Sequence, residues 1–346
     1  MMAPRIVLLL DDRLDGSAHW IATGLARRGY QVALLDIPGY STRNRLVRWR
    51  KAILWWQYLG LATRGLRLAG RGDATIVSTN FHVGALAAAL SRLRRGGQPN
   101  VLALNAIVRE KAPALTWART HLYRLAFGGG SLRLTVNSRE NALRYQRMFG
   151  FDEQHISVVN DPWAPHYPLE DRSDAGSDSI FCGGEAARDW ETFFAVARDH
   201  PEICFIGVAL SRDWAYQERV PDNVDMRFDI PESEFYERLE KARIVLLPLK
   251  GSVTAGLIVL VRSALLGRLI LATKTPATDS YYPMSRSELL VAEGDTQAFS
   301  QLIDRYWDDA AARRAAAADV KAHILEHRSP DSYLDAIAAI LSDVPR

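Results

Sequence analysis

The residues best placed to do chemistry lie between Ala242 and Pro283, ARIVLLPLKGSVTAGLIVLVRSALLGRLILATKTPATDSYYP. Ile244 to Leu249 is a short β-branched and leucine run ended by Pro248 and Gly251, the signal of a buried parallel strand. Thr254-Ala255-Gly256 then opens an apolar helix. A helix that begins just after a buried strand aims unpaired backbone N–H groups, and the positive end of its dipole, over the sheet edge. The chemistry of such a place is anion binding, and the stretch reads as a phosphate seat. Leu269 to Thr273 is the next strand, and Lys274-Thr275-Pro276 leaves it over the same edge.

A second stretch stands out for charge. From Ile37 to Gly72 there is no acidic residue, while Arg43, Arg45, Arg48, Arg50, Lys51, Arg64, Arg67 and Arg71 alternate with Trp49, Trp55, Trp56, Tyr58 and several leucines. Its apolar part is too short to span a bilayer. Basic residues beside interfacial aromatics suit a helix lying on anionic lipid, with Trp49, Trp55 and Trp56 as the membrane contacts. The competing reading is an ordinary domain helix, apolar side to the core and basic side to water. The charge of the whole half favours the first. Residues 1–162 carry 23 Lys and Arg against 10 Asp and Glu, a balance of +13; residues 163–346 carry 20 against 30, a balance of −10. Such an asymmetry marks a surface that meets something anionic. No nucleic-acid-binding motif accompanies it, so no nucleic-acid partner is expected.

The elements that must position these residues alternate strand and helix along 346 residues, enough for two domains. With 48% hydrophobic and 24% charged residues, the composition is that of a globular protein. Arg5 to Leu10 is a strand, followed by the loop DDRLDGSAH and a helix from about Ser17 to Arg28. Gln31 to Leu35 is the second strand. This β–loop–α–β opening is doubly wound α/β, without the G-x-G-x-x-G spacing of dinucleotide sites. Asp73 to Ser78 is the third strand and leads into a loop, Thr79-Asn80-Phe81-His82, before a small-residue helix from Gly84.

Residues 163–178 are rich in Pro, Asp and Ser and read as a linker between a domain over 1–162 and a second over 179–328. The tail, 329–346, reads as a helix packing back towards the first domain. Cys182 and Cys204 lie in apolar runs and read as buried reduced thiols. With no membrane-length apolar run and a first strand where a signal sequence would lie, the expected place is the cytoplasm, at the inner membrane face.

Four pieces of the second half resemble, in order, the donor domain of GT-B glycosyltransferases. They are GGEAARDW, PDNVDMRFDIPESEFYERLEKARIVLLPL, TAGLIVLVRSALLGRLILAT, and TDSYY with LLVAEGDTQAF. The likeness is to the large retaining family 4 (group 1) that includes bacterial polysaccharide enzymes. The basic, aromatic first half resembles membrane-associated inverting glucuronosyltransferases of the same fold.

The resemblance implies two Rossmann-like domains facing a cleft. It implies transfer of a sugar from a nucleoside diphosphate sugar, UDP- or GDP-linked, to a lipid-linked or polysaccharide acceptor at the inner membrane surface. No metal or other cofactor is expected, because protein cations take the metal's place in this fold. Gly183 and Gly184 would let backbone approach a sugar phosphate. Arg188 and Lys250 are candidate diphosphate cations, and Thr254, Ala255, Gly256 and Leu257 the helix-start donors. Arg227 to Ile230, just past a strand, would lie beside the base, unless Phe228 is core; Lys250 is otherwise a solvated loop charge.

Two glutamates usual in the family would fall at Val253 and Val261, which cannot bond a sugar hydroxyl. Near Asn105 many relatives carry a histidine. A base for an inverting reaction would come from the C-terminal edge of the first sheet. The candidates are Asp11, Asp12, Asp15, His19, His82 and Glu110, with Glu110, His82 and Asp12 ranked first. Arg109 and Lys111 beside Glu110, with Asp15, Gly16 and His19, are the expected acceptor-binding residues. Solvated charges and helix caps are the plainer roles for the same residues. Other readings of the chain are a non-catalytic nucleotide- or glycan-binding protein and a nucleotide-sugar epimerase.

Overall fold

The computed structural model describes the chain outside residues 1–2, 12–18, 38–49, 71–72, 95–96, 107–112, 129, 151, 166, 168, 170–177, 185–186, 212–215, 217–218, 252–254 and 344–346. It divides into two compact units, Met1–Asp161 with Asp331–Arg346, and Pro162–Pro330.

The first unit runs β1 (Arg5–Leu10), α1 (Trp20–Arg27), β2 (Gln31–Asp36), α2 (Arg50–Ala69), β3 (Ala74–Ser78), α3 (Phe81–Ser91), β4 (Val101–Ala103), α4 (Pro113–Phe127), β5 (Leu132–Val136), α5 (Arg139–Phe149) and β6 (Ile156–Val158). The strands form one parallel sheet in the order β2-β1-β3-β4-β5-β6. Strands buried on both faces read as unbroken apolar runs, which is why Ile6 to Leu10 is apolar throughout. The order reverses between β1 and β3, and ligands of open α/β sheets sit where the C-terminal ends of such a pair part.

Helix α1 starts later than the sequence pattern suggests, at Trp20, because His19 caps it: its Nδ1 accepts from the Ile21 N–H at 3.3 Å. Helix α3 starts earlier, at Phe81. Asn80 is its cap, with Oδ1 accepting from the His82 N–H at 2.9 Å, so His82 stands in a first helical turn rather than a loop.

The later turns of α2 pack as those of an ordinary domain helix. Tyr58, Leu61, Ala62, Leu66 and Ala69 recur at helical spacing and are buried. In the early turns Leu54 packs against the core, while Ile53 is 49% exposed, Trp55 37% and Trp56 72%.

The second unit runs β7 (Ser179–Gly183), α6 (Trp190–Asp199), β8 (Cys204–Ala209), β9 (Val224–Phe228), α7 (Glu232–Lys241), β10 (Ile244–Leu247), α8 (Leu257–Leu265), β11 (Leu269–Thr273), α9 (Pro276–Asp279), β12 (Leu290–Val291), α10 (Thr296–Trp307) and α11 (Ala310–His327). Its sheet is parallel, in the order β12-β11-β10-β7-β8-β9, with the reversal between β7 and β10. Trp163 and Tyr167, in the segment read as linker, pack against this unit's core.

Cys182 is buried in β7, and that burial pushes its thiol up to about 12. Cys204, expected buried, is exposed: it is the first residue of β8, where the strand is just entering the sheet.

The last helix, α12 (Pro330–Ser342), has its residues from Asp331 onward in the first unit. Tyr333, Leu334, Ile337 and Leu341 are buried in one cluster with Ile21 and Leu25 of α1. Arg28 ties the pair together, its Nε donating to Asp335 at 2.8 Å and its Nη2 to the Asp331 carbonyl at 3.0 Å.

Candidate functional site

Each unit carries a constellation of polar groups at the point where its strand order reverses. In the second unit the loops after β7 and β10 are joined by backbone. The Asp189 N–H donates to the Pro248 carbonyl at 3.0 Å, the Lys250 N–H donates to the Ala187 carbonyl at 2.9 Å, and Arg188 pairs with Leu249 in a short antiparallel bridge. Ala187 takes a positive φ of 54° to make the turn. Asp189 caps α6, accepting from the Thr192 N–H at 3.2 Å and the Thr192 hydroxyl at 2.7 Å.

Arg188 points across the reversal. The Arg188 Nε donates to the Gly183 carbonyl at 2.8 Å. A Cβ on Gly184 would stand 2.3 Å from Arg188 Nη2, and one on Gly256 would stand 3.4 Å from Nη1. Both glycines also have φ in the left-handed half, 132° and 78°. The guanidinium therefore lies between the glycine turn after β7 and the start of α8, where Gly256 is the cap and the N–H groups of the first turn have no intrahelical partner.

Arg188 is buried, and desolvation lowers its pKa from the ordinary arginine value. An anion over it would restore part of the solvation that burial removes. Ala255 and Leu257 flank Gly256 and are buried; Thr254 lies outside the described residues.

Lys250 is not a lone solvated charge. Its Nζ lies 2.9 Å from Glu191 and 3.3 Å from Asp189, and the Glu191 bond raises its pKa. Phe228, at the end of β9, is 36% exposed, so the core reading does not hold for it. The next residue, Asp229, has φ 51°; its N–H donates to the Ala209 carbonyl at 3.2 Å and its carboxylate accepts from the Ser211 hydroxyl. Both residues stand at the C-terminal end of β9, the edge strand of this sheet, inside the stretch from Arg227 to Ile230 read from the sequence as lying beside the base.

Val261 is buried in the core. Its neighbour Arg262 turns towards α7, 3.2 Å from the ring centre of Tyr236 and 3.7 Å from Glu240. The position aligned with the second family glutamate thus faces away from water. Val253, aligned with the first, lies outside the described residues.

In the first unit the ends of β1 and β3 hold Asp11 and Thr79-Asn80. The Asn80 Nδ2 donates to Asp11 Oδ2 at 2.6 Å and to the Tyr58 hydroxyl at 3.1 Å; the Thr79 hydroxyl donates to Asp11 Oδ1 at 3.3 Å. His82 Nδ1 is 2.9 Å from the Tyr123 hydroxyl. The Trp55 ring lies 5.4 Å from that of His82.

Of the candidate bases and acceptor-side residues read from the sequence, Asp11, His82 and His19 are described, His19 as the cap of α1. Asp12, Asp15, Gly16, Arg109, Glu110, Lys111 and Trp49 lie outside the described residues. Tyr58, Asn80 and Tyr123 were missed. Only strand order brings Asn80 to Asp11, and helix packing brings Tyr123 to His82, 41 positions away. A further cluster stands at β4 to β6, where Asn105, at φ 50°, and Asn137 both donate to the Asp161 carboxylate. Among the described residues no group of His, Cys, Asp or Glu could hold a metal ion.

No protein-family model matches the sequence, and no curated protein sequence is similar to it. Solved structures are similar along the whole chain. HepE from Anabaena, in complex with UDP and glucose, superposes with a TM-score of 0.67 at 14% identity, covering 98% of this chain and 99% of its own. The sucrose-phosphate synthase of Thermosynechococcus elongatus gives 0.66 at 13% identity, covering 98% of both chains. A UDP-forming trehalose-phosphate synthase from Burkholderia xenovorans gives 0.66 at 10% identity, covering 99% of both. Two six-stranded parallel sheets matched over their full length to such structures give the chain the GT-B fold of glycosyltransferases.

Proposed function

We propose that the chain is a glycosyltransferase. It moves a sugar from a nucleoside diphosphate sugar to a lipid-linked or polysaccharide acceptor at the cytoplasmic face of the membrane, in bacterial polysaccharide assembly. The observation that carries the reading is the Arg188 guanidinium, buried between Gly184 and the start of α8. Structures similar in fold, HepE among them, were solved with UDP or UDP-glucose.

In the reaction, an acceptor hydroxyl oxygen bonds to the anomeric carbon as the bond from that carbon to the diphosphate breaks. The electron pair leaves with the diphosphate. Arg188 and the N–H groups around Gly256 and Leu257 neutralise the charge that develops there. This work needs no metal ion, and we assign none. Lys250, tied to Asp189 and Glu191, holds the loop under the diphosphate more than it binds it. Phe228 and the turn at Asp229 are assigned to the base.

The proton of the acceptor hydroxyl goes to His82. In the tautomer whose Nδ1–H donates to the Tyr123 oxygen, Nε2 carries the lone pair a base needs. A base of this kind belongs to an inverting reaction. Glu110 and Asp12 stay with His82 as candidate bases, and Asp15, Gly16, His19, Arg109 and Lys111 as acceptor-side residues. The exposed Ile53 and Trp56, on a half with a charge balance of +13, are assigned to the anionic membrane surface. No described helix is long and apolar enough to cross a membrane.

Thermal unfolding with UDP, GDP and ADP tests the donor site. A cognate nucleotide at 100 times its Kd stabilises the fold by about 2.7 kcal/mol. The shift is expected with one of them in wild type and lost in Arg188→Ala. No shift with any nucleotide would sink the donor assignment. The buried Val261 favours a non-catalytic binding protein. That reading wins if nucleotide binds but no nucleoside diphosphate is released from a donor sugar in the presence of membrane lipid extract.

A further inference from the structure

Trp55 and Trp56 are neighbours in sequence, but the structure separates them. Trp56 is 72% exposed. Trp55 is clamped: it meets Tyr58 edge-on with ring centres 6.1 Å apart, and His82 at 5.4 Å. Tyr58 is itself buried, and its hydroxyl accepts from Asn80. The half-covered indole is therefore a fixed aromatic surface at the edge where β1 and β3 part.

Asp11 lies at the same edge. Each of its carboxylate oxygens already accepts one protein donor, from Thr79 and from Asn80. A carboxylate has about four acceptor positions, so it can take hydroxyl donors as well. A held aromatic surface next to an imidazole, and joined through Tyr58 and Asn80 to a held carboxylate, suits a pyranose ring. The apolar C–H side of the ring covers indole, and its hydroxyls donate to oxygen. The same carboxylate is a poor partner for a bare phosphate, since like charges in a partly desolvated place repel.

We propose that the acceptor is a sugar already in place, its ring on Trp55 and a hydroxyl on Asp11, and not a bare lipid phosphate. This rests on the glycosyltransferase reading and narrows it to chain extension. A sugar must then have been attached to the acceptor by an earlier transfer.

The test is saturation-transfer NMR on the full chain with UDP present. The probes are the methyl glycosides of glucose, galactose, mannose and glucuronic acid, and farnesyl phosphate. At least one glycoside is expected to receive saturation. Its binding should weaken roughly tenfold in Trp55→Ala and in Asp11→Asn, while Trp55→Phe keeps it. Near-UV circular dichroism confirms that the variants are folded. Saturation of farnesyl phosphate alone, binding of no glycoside, or glycoside binding unchanged in Trp55→Ala would each overturn the proposal. The UDP-induced thermal shift of the wild-type chain is read separately; its absence would strike the donor reading, and the glycoside result is scored without it.

Discussion

Arg188 lies so close to Gly184 that a Cβ on the glycine would stand 2.3 Å from its Nη2. The glycine's φ of 132° adds a second reason against any side chain there. Gly184→Ala must therefore move the guanidinium or the turn. Because charge-assisted contacts are worth about 1.5–3 kcal/mol, we expect UDP binding to weaken roughly tenfold or more, read as a smaller UDP-induced shift in unfolding temperature. An unchanged shift would mean that Arg188 does not hold the diphosphate.

The two cysteines should behave differently towards a thiol reagent. Cys204 is exposed at the start of β8, whereas Cys182 is buried and its thiol pushed up to about 12. Only the thiolate reacts, so the native chain at neutral pH is expected to take up maleimide at Cys204 and not at Cys182. In denaturant both should react. Mass spectrometry of the labelled peptides decides it.

Some of this was legible in the residues and some was not. The strands at Ile244–Leu247 and Leu269–Thr273 could be read because parallel strands buried on both faces leave unbroken apolar runs. The start of α8 was legible for the same reason, since it follows one such run. The start of α3 was not, because Asn80 suits a loop as well as a cap, and only the bond to the His82 N–H decides between them. Asp11 and Asn80 are 69 positions apart and meet only because the strand order reverses at β1 and β3. Burial of a charge such as Arg188 leaves no mark in composition. Exposure misled twice in the same direction: Phe228 looks like core and is exposed at the end of β9, and Cys204 sits in an apolar run and is exposed at the start of β8.

Position 261 offers a sharper contrast with the family resemblance. Its valine is buried in the core of the second unit, so restoring the usual glutamate there would bury a carboxylate. Val261→Glu is expected to cost several kcal/mol and to lower the unfolding temperature by about 10 °C. UDP should still bind to the fraction that folds. A stable Val261→Glu protein with tighter UDP binding would show that the helix can turn this position to the nucleotide.

His323 predicts an acid limit. Burial is the largest cause lowering its pKa from 6.5; His327 and Arg328 lower it further, while the Ser280 carbonyl, 3.3 Å from Nε2, and Glu326 act the other way. With the folded pKa below the unfolded one, the unfolded chain binds the proton first as pH falls. The contribution to stability is thus full above 6.5, falls as pH drops through 6.5 to the lower folded value, and levels off beneath it. His323→Gln should flatten the unfolding-temperature profile in that window. An unchanged profile would mean that other groups set the acid limit.

The proposed membrane contact can be tested apart from the proposed acceptor edge because Trp55 is held by ring contacts and Trp56 is not among them. Replacing Trp55 would disturb the neighbourhood of His82; Ile53 and Trp56 are exposed and can be changed with little effect on stability. Burying such a side chain in the interface is worth on the order of 1.5–3 kcal/mol, and each nearby Lys or Arg adds about 1 kcal/mol against anionic lipid. The Ile53→Ser and Trp56→Ser double variant is therefore expected to sediment with phosphatidylglycerol vesicles at least tenfold less than wild type, while unfolding at the same temperature. Wild-type sedimentation should also fall as salt rises, because the lipid charge is screened within about 8 Å at physiological ionic strength. Equal sedimentation of variant and wild type would remove the first turns of α2 from the membrane contact.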